Sequence, residues 1–188
     1  MMKITPSSSV LDVGGTLFNW NLVGFTPRLT IVNLAPAPSD LPSRVTWVRA
    51  DGRCLPFAEK SFEICFSNSV IEHVGTWEDQ EKFAREVKRV AQRYYVQTPN
   101  YWFPIEPHLV APFIHWLPPR WQRRLIRHFT LFGIMSRPTP EVCELLVAET
   151  RLLRRREMSI LFEGARIEAE TLLGLRKSII AIAPELEP

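Results

Sequence analysis

The sequence predicts a single-domain α/β protein built on a mostly parallel, seven-stranded sheet with helices on both faces. Three observations predict it. Short apolar runs rich in β-branched residues recur along the chain. A segment of helical period separates two of them, and long crossovers separate others, which is the pattern of parallel pairing. With 188 residues, 46% of them hydrophobic, the chain supports one full core and not two.

In chain order, Val10-Leu-Asp-Val-Gly-Gly15 is an apolar strand entering a tight turn. Residues 29–34 form a second strand, 45–51 a third, and 62–67 a fourth that closes on Asn68-Ser69. Residues 77–91 place Phe83, Val87 and Val90 at helical spacing among charges, so a helix follows. Residues 93–98 are a fifth strand, stopped by Pro99. Residues 101–158 read as a mostly helical insertion, a lid or substrate-binding segment inside the single 1–188 domain. Residues 166–173 and 177–183 are two late strands. Sixteen prolines against eight glycines mark 31–42, 99–119 and 138–140 as loops or broken helices.

Bulk properties exclude several classes. No apolar run approaches the roughly 20 residues of a membrane-spanning helix. The first nine residues lack the apolar stretch of a secretory signal. Cys54, Cys65 and Cys143 are scattered, so reduced thiols in a cytoplasmic protein are expected, with no metal-ligand spacing and no metal site. A net charge of +3 is too small for a dedicated nucleic-acid binder, and no nucleic-acid partner is expected. Pro119-Arg-Trp-Gln-Arg-Arg-Leu-Ile-Arg-His-Phe129 is nonetheless a basic amphipathic helix. It suits peripheral contact with an anionic membrane or a phosphate-bearing substrate, although such a pattern is more commonly a solvated face.

Parallel sheets bind ligands beyond the carboxyl ends of their strands. Here those ends carry Asp12-Val-Gly-Gly15, Asn33, Asp51-Gly-Arg53, residues 68–73 and Gln97-Thr-Pro-Asn100, all polar or glycine-rich. These stretches carry a family resemblance. Val10-Leu-Asp-Val-Gly-Gly15 resembles the first motif of class I S-adenosylmethionine-dependent methyltransferases. Asp51-Gly-Arg-Cys-Leu-Pro-Phe57 with Lys60-Ser-Phe-Glu63 resembles their adenine-side acidic loop and the strand after it. Ser67-Asn-Ser-Val-Ile-Glu-His-Val74 resembles the fourth-strand motif of the type 11 branch. The stretches 97–108 and 170–182 are similar to that branch as well, so the resemblance spans roughly residues 9–184.

The resemblance implies a Rossmann-like fold and methyl transfer from S-adenosylmethionine to a small-molecule or glycan-type acceptor. A non-catalytic nucleotide-binding module on the same fold is the alternative. Gly14 and Gly15 would let the backbone approach the cofactor's methionine end, with Asp12 orienting the loop or reaching the amino group. Asn33 and Leu34 would face the ribose and the adenine. Asp51, Gly52 and Arg53 would meet the adenine edge, with Leu55 and Phe57 along its faces. Asn68 and Ser69 would contact the cofactor through backbone carbonyls, with side chains toward the transferred methyl. Each position also has a plainer role, as strand-turn glycines or turn residues.

The sequence departs from the family in two places. Bulky Thr16-Leu-Phe-Asn-Trp20 follows the glycines directly, which puts Trp20 over the pocket. Asn33 stands where relatives carry a carboxylate for the ribose hydroxyls, which implies weaker cofactor binding or a different ligand. His73 is the candidate general base, or else a residue packed on the crossover helix. Gln97, Asn100, Glu106 and His108 are the substrate-side candidates, although Glu106 and His108 also suit a structural pairing. Relatives cover the cofactor with N-terminal helices, so residues 101–158 or a second subunit are expected to serve as the lid.

Overall fold

The computed structural model describes residues 3–183; residues 1–2 and 184–188 of the 1–188 domain lie outside the described residues. The chain runs β1 (Ser9–Val13), α1 (Leu17–Asn21), β2 (Arg28–Asn33), β3 (Val45–Arg49), β4 (Phe62–Asn68), α2 (Trp77–Val90) and β5 (Ala91–Pro99). A small hairpin, β6 (Ile105–Glu106) and β7 (Ala111–Pro112), opens the insertion. Then come α3 (Pro119–Phe129), α4 (Leu131–Ser136), α5 (Pro140–Glu149) and α6 (Arg155–Leu161). The chain closes with β8 (Arg166–Leu172) and β9 (Leu175–Ile182).

The seven-stranded sheet has the order β3-β2-β1-β4-β5-β9-β8. The first five strands in that order are parallel, and β9 is antiparallel to both β5 and β8. The order steps outward from β1 in both directions, so a crevice opens at the carboxyl ends of β1 and β4. That is the switch point where parallel sheets bind ligands.

Helices lie on both faces, but unequally. On one face α2 presents Phe83, Ala84, Val87 and Val90, and α6 presents Met158 and Leu161. They bury Leu11, Val13, Val32, Cys65, Val96, Ile179 and Ala181 of the strands. The other face is covered by α1, whose Trp20 packs on Val10, Leu29, Ile31, Val45 and Ile64. No helix joins β2 to β3 or β3 to β4. Pro36, Pro38 and Pro42 explain the first gap, since each bars helix at the residue before it. Further along that face, β5 and β8 turn Arg93, Gln97, Glu168 and Glu170 outward, and such side chains need no cover.

Within the insertion, Leu109, Ala111, Ile114, Ile126 and Cys143 form a separate small core. Thr130 links its helices: its hydroxyl donates to the Ile126 carbonyl at 2.7 Å and accepts from Gly133 N–H at 2.8 Å. The insertion is shorter than the predicted 101–158. A parallel bridge from Asn100 to Leu153 returns the chain to the sheet edge, and α6 packs on the sheet beside α2 rather than on the cap. No helix of the described residues is long and apolar enough to cross a membrane.

Candidate active site

A cavity of about 300 Å³ opens at the carboxyl ends of β1, β2 and β3 and beside the start of the 3-10 turn Ile71–His73. Seven of the predicted cofactor-side residues line it: Gly14, Asn33, Leu34, Asp51, Gly52, Arg53 and Ser69. Val70 and His73 line it too. Asp12, Gly15 and Asn68 do not.

Gly14 adopts φ +77, and a Cβ there would sit 2.5 Å from a Val70 methyl, so both the backbone and the space require glycine. Gly15 is required for a different reason: a Cβ there would collide with the Asp12 carboxylate beneath the turn. Asp12 is fully buried and points away from the cavity. One oxygen accepts from the Trp20 indole N–H at 2.7 Å; the other, Oδ1, has no hydrogen-bond partner. Burial pushes its carboxyl up to about 7, against the pull of the Trp20 hydrogen bond. Trp20, placed over the pocket by the sequence, instead lies under the sheet and anchors Asp12.

Asn33 braces the glycine turn. Its amide donates to the Gly15 carbonyl at 2.9 Å and more weakly to Gly14 at 3.4 Å, while its oxygen accepts from Ala35 N–H at 3.0 Å. A carboxylate could not make those donations. Asp51 is paired with Arg53, 2.6 Å to Nη2, and also accepts from the Arg53 backbone N–H at 2.9 Å. The Arg53 side chain hydrogen-bonded to Asp51 holds its carboxyl below the usual range. Leu55 and Phe57 sit in the core rather than along the cavity.

Two cavities lie on the β5 side. One, of about 620 Å³, is bordered by Asn68, Ser69, Gln97, Asn100 and His108. The other, of about 250 Å³ under the cap, is bordered by Glu106, His108, His115, Gln122 and Arg151. Ser69, in the left-handed region at φ 55, separates the first cavity from the β5-side space. Its N–H donates to the Gln97 carbonyl at 3.0 Å, and its hydroxyl lies 3.0 Å from Gln97 Oε1. Asn100 donates to the Arg176 carbonyl at 2.9 Å and accepts from Trp102 N–H, so its amide is largely spent on the chain turn.

His73, which faces the first cavity, meets His108, which faces the other two: their Nε2 atoms lie 3.0 Å apart. Behind His108, Glu106 is 3% exposed and lies 2.6 Å from Nδ1, and it accepts from Leu109 N–H with its second oxygen. Glu106 raises His108 above the ordinary imidazole range. Burial, then the neighbouring His108, lowers His73. The two imidazoles are thus biased in opposite directions, His108 toward the protonated form and His73 toward the neutral one.

Sequence reasoning missed Glu72. Its side chain is 0% exposed; Oε2 accepts from the Thr98 hydroxyl at 2.9 Å, while Oε1 has no partner and lies 3.8 Å from His108 Nε2. Burial pushes its carboxyl up to about 7. The signal was present: one carboxylate inside the apolar run Val70-Ile-Glu-His-Val74, at a strand end.

Residues 11–93 match the family described as Methyltransferase domain. A methyltransferase of unassigned role from Mycobacterium sp. (strain KMS) is 34% identical over 98 residues, 48% of this chain and 37% of its own length. A counterpart from Mycolicibacterium gilvum is 33% identical over 90 residues, 43% of this chain and 35% of its own. The chain thus spans about a third of the curated relatives it matches. Among solved structures, the Burkholderia thailandensis 1,6-didemethyltoxoflavin-N1-methyltransferase, with its substrate and S-adenosylhomocysteine bound, has a TM-score of 0.58 at 14% identity. That alignment covers 95% of this chain and 72% of the other. A SAM-dependent methyltransferase from Methanosarcina mazei has a TM-score of 0.53 at 14% identity, covering 95% and 92%. Residues 11–93 are thus similar to a methyltransferase domain, and the chain shares its fold with S-adenosylmethionine-dependent methyltransferases.

Proposed function

We propose that this chain transfers a methyl group from S-adenosylmethionine to a small-molecule or glycan-type acceptor. One observation carries the reading: the cavity at the ends of β1 to β3 and the cavities beside β5 meet across the His73–His108 pair. The residues fit the cofactor, because Gly14 lines the cavity with bare backbone at φ +77, beside Asp51 and Ser69. S-adenosylmethionine supplies an electrophilic methyl on a sulfonium; an acceptor lone pair forms the new bond to carbon as the carbon–sulfur bond breaks. Gly14, Asp51 and Ser69 hold the cofactor side. Gln97, Asn100 and His108 border the acceptor. The His73–His108 pair takes the proton that an oxygen or nitrogen acceptor releases, and Glu106 steadies the resulting imidazolium. The free thiols suit a cytoplasmic setting.

Titration calorimetry with S-adenosylhomocysteine tests the reading. Binding to the wild type, abolished in Gly14→Val, is the expected result; no binding to the wild type overturns it. Binding without transfer of labelled methyl to any metabolite extract would instead favour the non-catalytic module. Asn33 and Asp51 give that second reading its support, since their polar atoms are already engaged within the chain. Peripheral membrane contact through α3 is a separate element of the proposal. Trp121 and Phe129 are exposed there among Arg120, Arg123, Arg124 and Arg127. Co-sedimentation with anionic but not zwitterionic vesicles is the outcome it requires.

A further inference from the structure

We propose that Glu72, His73 and His108 form a binding site for one divalent transition-metal ion. Their ligating atoms, Glu72 Oε1 and the two Nε2 atoms, lie within 4.8 Å of one another. The measured separations are 3.0 Å between the imidazole nitrogens and 3.8 Å from His108 Nε2 to Glu72 Oε1. An ion bound at about 2.0–2.2 Å in tetrahedral geometry holds its ligands about 3.4 Å apart. Those two separations bracket that value and the third, from His73 Nε2 to Glu72 Oε1, is within 4.8 Å, so side-chain shifts of about an ångström would close the site.

Three further features point to a ligand rather than to a self-contained polar cluster. Glu72 Oε1 is an acceptor with no partner, fully buried and turned toward the imidazoles, a costly arrangement that a cation relieves. Glu106 grips the far nitrogen of His108 at 2.6 Å, the carboxylate–histidine arrangement that orients metal-binding imidazoles. Thr98 similarly fixes the second oxygen of Glu72. Two imidazoles and one carboxylate suit Zn²⁺, Mn²⁺, Fe²⁺ or Co²⁺ rather than the all-oxygen preference of Mg²⁺. Three protein ligands leave a coordination position for an outside oxygen. His73 and His108 reach cavities on opposite sides, so that position is available to an acceptor hydroxyl or carboxyl group. There the ion would lower the hydroxyl's pKa and, with both imidazoles engaged as ligands, replace the pair as the means of releasing the acceptor's proton to water; this consequence, unlike the binding itself, rests on the methyl-transfer reading.

The test uses the tag-free full chain stripped with chelator, titrated calorimetrically with Co²⁺ and with Zn²⁺, and by visible absorption with Co²⁺. The expected result is one ion per chain, with binding weakened at least about tenfold in Glu72→Gln and His108→Gln. Glu106→Gln, which touches no ion, should weaken it by about 10–100-fold. Circular dichroism of each metal-free variant separates loss of a ligand from loss of fold. His108, partly exposed at the cavity edge, carries the test if Glu72→Gln does not fold. A wild type that binds neither ion at millimolar concentration overturns the proposal. Folded variants that bind like the wild type overturn it too. Parallel titration with S-adenosylhomocysteine keeps the two readings apart: nucleotide binding without metal binding rejects only the metal site, and the converse rejects only methyl transfer.

Discussion

His108 and His73 are chemically identical side chains that differ because one has the Glu106 carboxylate hydrogen-bonded behind it and the other has the His108 imidazole against it. The sign follows directly: a carboxylate hydrogen-bonded to Nδ1 favours the imidazolium, and burial disfavours it. In metal-free protein, Glu106→Gln should therefore shift the His108 pKa downward, read from its ring-proton NMR titration; an unmoved titration would remove Glu106 as the cause. His73→Ala should lower turnover by about 10²–10⁴-fold if the pair takes the acceptor's proton, with S-adenosylhomocysteine affinity nearly intact. Full activity in that variant would exclude the role. Gly14 was legible in the sequence as a glycine at a strand end, the same pattern that a plain strand turn makes. Glu72 was not, because neither its burial nor its orphaned oxygen exists until the 3-10 turn folds it against Thr98 and His108.

At the scale of elements, the glycine turn and α1 behave as one unit tied by Asp12. The turn passes over the Asp12 carboxylate, Trp20 holds that carboxylate from α1, and Asn33 holds the turn's carbonyls from β2. Trp20→Phe keeps the ring's packing but leaves the buried carboxyl without its donor, which should cost about 1–3 kcal/mol in denaturant unfolding. No loss would mean the hydrogen bond is idle. The bulky residues after Gly15 were visible in the sequence. Their direction was not, because a five-residue helix can pack on either side of a sheet edge and burial of the indole against Val10 and Ile31 decides it. The cap was readable as a helical insertion, but its end was not. Residues 155–161 carry basic and apolar positions that suit a surface helix or a sheet-packing one, and only Met158 and Leu161 meeting the sheet settle the choice.

At the scale of the whole molecule, Asp12 and Glu72 govern how stability responds to pH. Both are carboxyls raised from below 5 when unfolded to about 7 when folded, so between about pH 4 and 7 the native state binds more protons than the unfolded chain. These two groups should therefore make metal-free stability fall as pH rises through that window, by on the order of a few kcal/mol, with the lowered His73 and His115 opposing them in its upper part. Melting temperatures from pH 4.5 to 8 check this, and Glu72→Gln should flatten the slope; an unchanged slope would clear Glu72. The sequence by itself determined the strand positions, the central helix, the glycine turn and which segments end in polar groups. Those properties are written in local pattern: alternation, helical spacing and the backbone limits of glycine and proline. Only the tertiary structure decided that Asp12 faces away from the cavity, that Asn33 and Asp51 spend their polar atoms inside the chain, and that Glu72, His73, Glu106 and His108 meet. Those contacts join residues as many as 36 positions apart, and sheet order and loop path, which no local pattern encodes, bring them within hydrogen-bonding distance.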